Sequence, residues 1–191
     1  MADTKTEEKL SPDNYWQQLR SKAPLFVESA IGFANEIGLN VSDLKIDHIG
    51  LRYSKPEDVD FLKKALDLSG TNISTAVVNG RPISIYKLIK PIEAGNYQIP
   101  CVELPFPAKE HNYPEDGWEH VEFVLPNPNM GLEENFKARY PNFKGDYKID
   151  EPKVEGEQLP NPTIILKHPT NKMLTLKFHG NSIEEVVRSK S

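Results

Sequence analysis

The segments IDHIGLRY (46–53) and WEHVEFVL (118–125) stand 72 residues apart, and each carries a histidine between apolar positions. Both read as strands, in which successive side chains alternate faces. His48, Gly50 and Arg52 then share one face, and Ile49, Leu51 and Tyr53 the other. In the second copy His120 and Glu122 oppose Val121, Phe123 and Leu125. A polar face with a histidine at the same place, presented twice, points to a duplicated scaffold around one shared cavity.

The repeat extends outward from these strands. SKPEDVDFLKKALDLSG (54–70) reads as a helix with Val59, Leu62 and Leu66 on one face, and GLEENFKARY (131–140) follows the second strand. Phe61 and Phe136 are 75 apart. RPISIYKLI (81–89) matches NPTIILKHP (161–169), each a β-rich run entered through a proline. The halves close with PCVELPFP (100–107) and LTLKFHGN (174–181), where Glu103 and Lys177 are 74 apart. The order in each half is strand, helix, strands. The sequence predicts an α+β fold of two matched strand–helix–strands modules around one shared cavity.

Flanking segments complete the plan. Residues 1–11 read as a polar tail, and 12–191 as one domain: N-terminal helices over 12–38, module one over 44–107, module two over 117–180 and a C-terminal helix over 182–190. Ser11-Pro12 and Pro24 each mark a helix start, Gly38 a stop, and Ser182 with Glu185 a capping box. The proline- and glycine-rich stretch 141–160 is predicted as a loop with one weak strand near Tyr147–Ile149.

Composition narrows the function. A hydrophobic content of 38% supplies a core, and a net charge of −5 leaves no basic footprint for nucleic acid. The single Cys101 excludes an intramolecular disulfide framework and a cysteine-rich zinc site. The acidic N-terminus is unlike a signal peptide, and no apolar run reaches the ~18 residues of a membrane span, so the expectation is a cytoplasmic protein.

The closing strands divide as the opening ones do. Val102, Leu104 and Phe106 oppose Cys101, Glu103 and Pro105; Leu174, Leu176 and Phe178 oppose Thr175, Lys177 and His179. One face thus gathers His48, Arg52, Glu103, His120, Glu122, Lys177 and His179, including three of the chain's five histidines. A merely solvated face needs Lys, Thr, Glu and Ser, not three histidines. Two imidazoles and a carboxylate suit an open divalent-metal site that keeps positions for water and substrate.

With DHIGLR (47–52), NGRPI (79–83), VELPFP (102–107), GWEHVEFVLP (117–126), LPNPT (159–163), LKFH (176–179) and SIEE (182–185), the chain resembles the YecM family. That family lies within the vicinal-oxygen-chelate superfamily, with glyoxalase I, extradiol dioxygenases, epimerases and antibiotic-resistance proteins. The resemblance implies paired βαβββ modules that form curved mixed sheets around a central cavity, with metal ligands from the first and last strand of each. By motif these positions fall on His48, Glu103, His120 and Lys177. An ammonium has no lone pair for a cation, so the implied set is His48, His120 and Glu103, with His179 as an additional ligand. Extradiol enzymes take the carboxylate from the second module, so Glu103 would form a mirror arrangement.

Several roles stay open at this point. Lys177 either pairs with Glu103 in place of a metal or binds a substrate carboxylate. Glu122 is a ligand, a general base with a raised pKa, or a partner orienting an imidazole. Arg52 is fitted to a carboxylate or phosphate, or to a salt bridge; Tyr86 is placed in the pocket lining. Cys101 and Trp118 are expected buried, and His111 and His168 exposed on loops.

The expectation is a divalent-metal-binding protein (zinc, manganese, nickel or iron) acting as an isomerase, lyase or dioxygenase on a small oxygenated anionic substrate. The alternatives are a non-catalytic small-molecule binder and a relic with a Glu103–Lys177 ion pair. The expected partners are a small-molecule ligand and a second copy in a homodimer, with no nucleic acid and no membrane.

Overall fold

The computed structural model describes residues 10–78, 80–107, 113–151, 159 and 161–189. After helix α1 (Pro12–Glu36) comes a first run: β1 (Lys45–Arg52), α2 (Pro56–Ser69), β2 (Gly70–Val78), β3 (Arg81–Ala94) and β4 (Tyr97–Pro105). The second run is β5 (Gly117–Val124), α3 (Leu132–Arg139), β6 (Lys148–Asp150), β7 (Thr163–Lys167) and β8 (Thr175–His179), and α4 (Ile183–Arg188) follows. Each run is βαβββ.

All eight strands join in one sheet of order β2-β3-β4-β1-β5-β8-β7-β6. Within each module the first and last strands pair in parallel, β1 with β4 and β5 with β8. The modules meet where β1 pairs antiparallel with β5. The order therefore reads the same from the centre to either edge, as an internal two-fold requires. Residues of β2, β3 and β7 line one cavity, so the sheet curls into a trough.

Two rows of residues cross the middle of that trough. Ile85, Glu103, Gly50, His120, Thr175 and Lys167 lie side by side on successive strands. The neighbouring row is Lys87, Cys101, His48, Glu122, Lys177 and Ile165. The internal two-fold exchanges the rows, matching His48 with His120, Gly50 with Glu122, and Glu103 with Lys177. Duplication thus places both histidines on adjacent rows at the module junction.

The convex face is the core. Ile49, Val102, Val121, Leu176 and Phe178 are fully buried there beneath α1 and its Trp16, Ala23, Val27 and Ala30. Phe123 stacks on Phe178 at 5.3 Å, and Phe136 of α3 meets Phe178 edge-on. The expected pair of N-terminal helices is one helix of 25 residues with Pro24 inside it. Pro24 forgoes one helical hydrogen bond, and the apolar stripe on the core offsets that loss. Ser11 caps α1 through the Asn14 N–H, and Gly38, at φ 82°, ends it. The predicted weak strand is β6, displaced by one residue, and Ser182 and Glu185 form the capping box of α4. Among the described residues, no helix is long and apolar enough to cross a membrane.

Candidate metal centre

Strict alternation fails at two places in the central strands. Between Ile46 and His48 the register of β1 on β5 slips, and it slips again between Gly50 and Leu51, opposite Glu119. Asp47 and Glu119 are the extra residues. A β-bulge re-aims a side chain, and here both carboxylates turn to the trough side with the histidine that follows. Asp47 Oδ2 lies 2.9 Å from His48 Nδ1, and Glu119 Oε2 lies 2.8 Å from His120 Nδ1. A carboxylate on Nδ1 fixes that nitrogen as N–H and leaves Nε2 with its lone pair free for a cation.

Both Nε2 atoms converge on two carboxylates. His48 Nε2 is 3.7 Å from Glu103 Oε2 and 3.5 Å from Glu122 Oε1. His120 Nε2 is 3.7 Å from Glu103 Oε1 and 3.5 Å from the same Glu122 Oε1. The four residues offer ligand atoms all within 4.8 Å of one another. Tetrahedral ligands at about 2.1 Å from a cation are about 3.4 Å apart, close to these separations. His48 Nε2 is an orphan: buried, with no hydrogen-bond partner. The residues fit a divalent cation.

The electrostatics agree. Asp47, Glu103, Glu119 and Glu122 face two fixed cations, Arg52 and Lys177. With neutral imidazoles the buried cluster is two charges negative, which a divalent ion or added protons must balance. Burial pushes the His48 imidazole down, but Glu122 and the carboxylates of Asp47 and Glu103 outweigh it and hold its pKa well above 6.5. Burial, aided by Lys177, pushes His120 down. Burial raises Glu103 and Glu122, yet Lys177 and the nearby imidazoles keep both well below the usual carboxylate range.

The remaining expected site residues fall in different places. Lys177 Nζ donates to Glu122 Oε1 at 2.6 Å and lies 3.4 Å from His120 Nε2. Among the described residues its ion pair is therefore with Glu122 and not with Glu103, the partner in one of the alternatives. Glu122 brings its carboxylate to the fourth corner of the cluster. Arg52 lies against Glu103 (3.4 Å) and Glu119 (3.3 Å), so its guanidinium is engaged within the protein.

His179 is not brought into the four-residue cluster. Its Nδ1 accepts from Asn161 Nδ2 at 3.0 Å, and its Nε2 stands behind the centre, 3.5 Å from Asp47 Oδ2. Tyr86 is not in the cavity either: its ring joins the core and its hydroxyl donates to Asp67 at 2.9 Å. Cys101 is buried beside His48, with burial pushing its thiol up to about 12. Trp118 is core and donates to the Leu19 carbonyl. His168 is half-buried, accepting from the Thr170 and Asn171 amides, while His111 lies outside the described residues.

Asp47 and Glu119 escape a strict period-two reading. Their signal is present, an acid before each histidine at the repeat offset of 72. Asp47→Asn and Glu119→Gln are each expected to lower metal affinity about 10–100-fold with the fold retained, read by calorimetric titration.

Fold and cluster together define a two-module protein that closes a buried His–Glu centre at the junction of its halves. The chain belongs to the YecM family, whose profile (YecM protein) matches residues 15–190. Protein YecM of Escherichia coli (strain K12) is 36% identical over 182 residues, covering 91% of this chain and 93% of that one. A solved structure titled Structural Genomics, Protein EC4020 superposes with a TM-score of 0.73 at 33% identity, over 92% of each chain. A Streptomyces coelicolor methylmalonyl-CoA epimerase in complex with 2-nitronate-propionyl-CoA gives a TM-score of 0.47 at 16% identity, over 77% of this chain and 97% of that one.

Proposed function

We propose that this protein binds one divalent cation through His48, His120, Glu103 and Glu122. We further propose that it uses the cation to hold adjacent oxygens of a small oxygenated anion, for isomerase, lyase or dioxygenase chemistry. The observation that carries this reading is the convergence of two carboxylate-anchored imidazoles and two carboxylates on one point. A bound divalent cation supplies Lewis-acid polarisation of a substrate oxygen.

The chain's own residues supply the rest. The centre opens on a cavity of about 880 Å³, the size of a small-molecule site. Burial pushes the Lys177 ammonium down, but Glu122 and Glu103 outweigh it and hold its proton at the cavity wall, where it can meet a substrate oxyanion. Both modules contribute ligands, so one chain completes the site. The Lys177–Glu122 pair at 2.6 Å favours a second reading, a metal-free binder in which the ammonium stands for the cation.

Metal analysis of untagged protein purified without chelator separates the two. The first reading expects about one ion per chain, lost in His48→Ala with the fold intact; absence of metal and of binding on titration supports the second. Turnover of small oxygenated acids by the loaded protein then divides enzyme from carrier.

The pH dependence differs between the forms. The raised pKa of His48 gives metal-free protein a stabilising contribution that is full below about 6.5 and lost as pH rises through the folded value. The depressed Glu103 and Glu122 contribute above about 4.5, and that contribution is lost as pH falls through their folded values. Metal replaces the His48 proton, so thermal melts should show the alkaline loss only in stripped protein.

A further inference from the structure

The two ends of the trough are chemically different. At one end α4 closes over the row that holds His48. The Ile183 N–H donates to Asp47 Oδ2 at 2.9 Å, and Lys87 Nζ meets Glu184 at 2.6 Å. Ile183, Val186 and Val187 of α4 line the cavity there with apolar side chains, beside the polar Asn161 and Thr163.

The other end is basic. β1 leaves the centre toward Arg52, which pairs with Gly117, and β3 enters at Arg81, two residues before Ile83 opposite Pro105. Across the trough Lys167 lies opposite Thr175, itself opposite His120, and Lys172 follows in the β7–β8 turn. Arg81, Lys167 and Lys172 all line the cavity. The inner cations differ from these three. Arg52 is engaged with Glu103 and Glu119, and Lys177 with Glu122. Among the described residues no carboxylate pairs with Arg81, Lys167 or Lys172; Arg81 has only the Tyr113 hydroxyl, at 3.5 Å. Three cations on facing walls of one cavity, none of them paired with a carboxylate among the described residues, are suited to an anion.

We infer that Arg81, Lys167 and Lys172 form an oxyanion subsite for the terminal phosphate or carboxylate of an elongated organic acid. The apolar part of that acid lies along the trough toward Val186 and Val187. Substrate charge is then recognised at the mouth, away from Arg52 and Lys177. This rests on the proposed reading of the cavity as a ligand site, but not on the metal.

Calorimetric titration with octyl phosphate, octanoate and 1-octanol tests it. Intact protein should bind at least one of the two acids about tenfold more tightly than the alcohol, a preference that weakens with added salt. The ratio of the two acids separates phosphate from carboxylate recognition. Arg81→Gln/Lys167→Gln/Lys172→Gln should bring the preference to near unity while leaving the alcohol unchanged. Lys64→Gln, on α2, should retain it. Protein stripped of metal by chelator should also retain it, so a missing metal leaves this result standing. The inference is overturned if the triple variant and the intact protein behave alike, including no binding by either, or if stripping metal alone removes the preference.

Discussion

Gly50→Ala should abolish stoichiometric metal binding in a protein that still folds. Gly50 is the cross-strand partner of His120, and the imidazole lies over its Cα. A Cβ there would fall inside the His120 ring. The ring cannot shift without leaving Glu119, which sets its Nε2 toward Glu103 and Glu122. Overpacking of this kind costs about 1–3 kcal/mol, which a domain of this size should survive. Calorimetric titration with zinc and manganese, beside a thermal melt, reads both effects. Unchanged affinity would mean that His120 is not a ligand. The two-fold places Glu122 where module one has Gly50, so one half makes room for the imidazole while the other provides a carboxylate.

Lys177→Met should act in opposite directions on the two forms. In metal-free protein the ammonium is the nearest cation to Glu122 and also offsets Glu103. Removing one partner of a buried pair costs about 3–5 kcal/mol because the other charge is left unpaired. In a domain of this size that lowers the melting temperature by roughly 10 °C. With a divalent cation bound, the carboxylates are balanced again, and the Glu122 oxygen no longer has to be drawn from an ammonium. The variant is therefore expected to melt early when stripped, to recover most of the loss with metal, and to bind metal more tightly than the parent chain. A loss that metal does not restore would assign Lys177 a packing role.

What could be read without coordinates follows from the physics of strands. A repeat at similar offsets orders the elements of each half, and alternation fixes which side of β4 and β8 carries Glu103, Lys177 and His179. Alternation fails at a bulge, where an added residue reverses parity, and this is why Asp47 and Glu119 join the cluster unannounced. Cross-strand neighbours fail for another reason. The repeat matches Glu103 with Lys177, but the parallel register of β5 and β8 seats Lys177 beside Glu122. His179 shares the face of Lys177 yet sits at the end of β8, where its Nδ1 meets Asn161 and lies 3.9 Å from Glu122 Oε2, outside the four-residue cluster. From the sequence alone the facing of the strand that carries Tyr86 is open. Ile83 and Ile85 line the cavity, so Tyr86, one residue on, falls on the core face of β3.

The central claim is that one cation sits where both modules meet. A crystal of the untagged protein soaked in manganese, with data collected for anomalous scattering, tests it most directly. The expected map shows one strong peak bonded to His48 Nε2, His120 Nε2, Glu103 and Glu122, with nitrogen and oxygen ligands at roughly 2.0–2.2 Å. An empty junction with Lys177 still on Glu122, or a peak held by other residues, would contradict it.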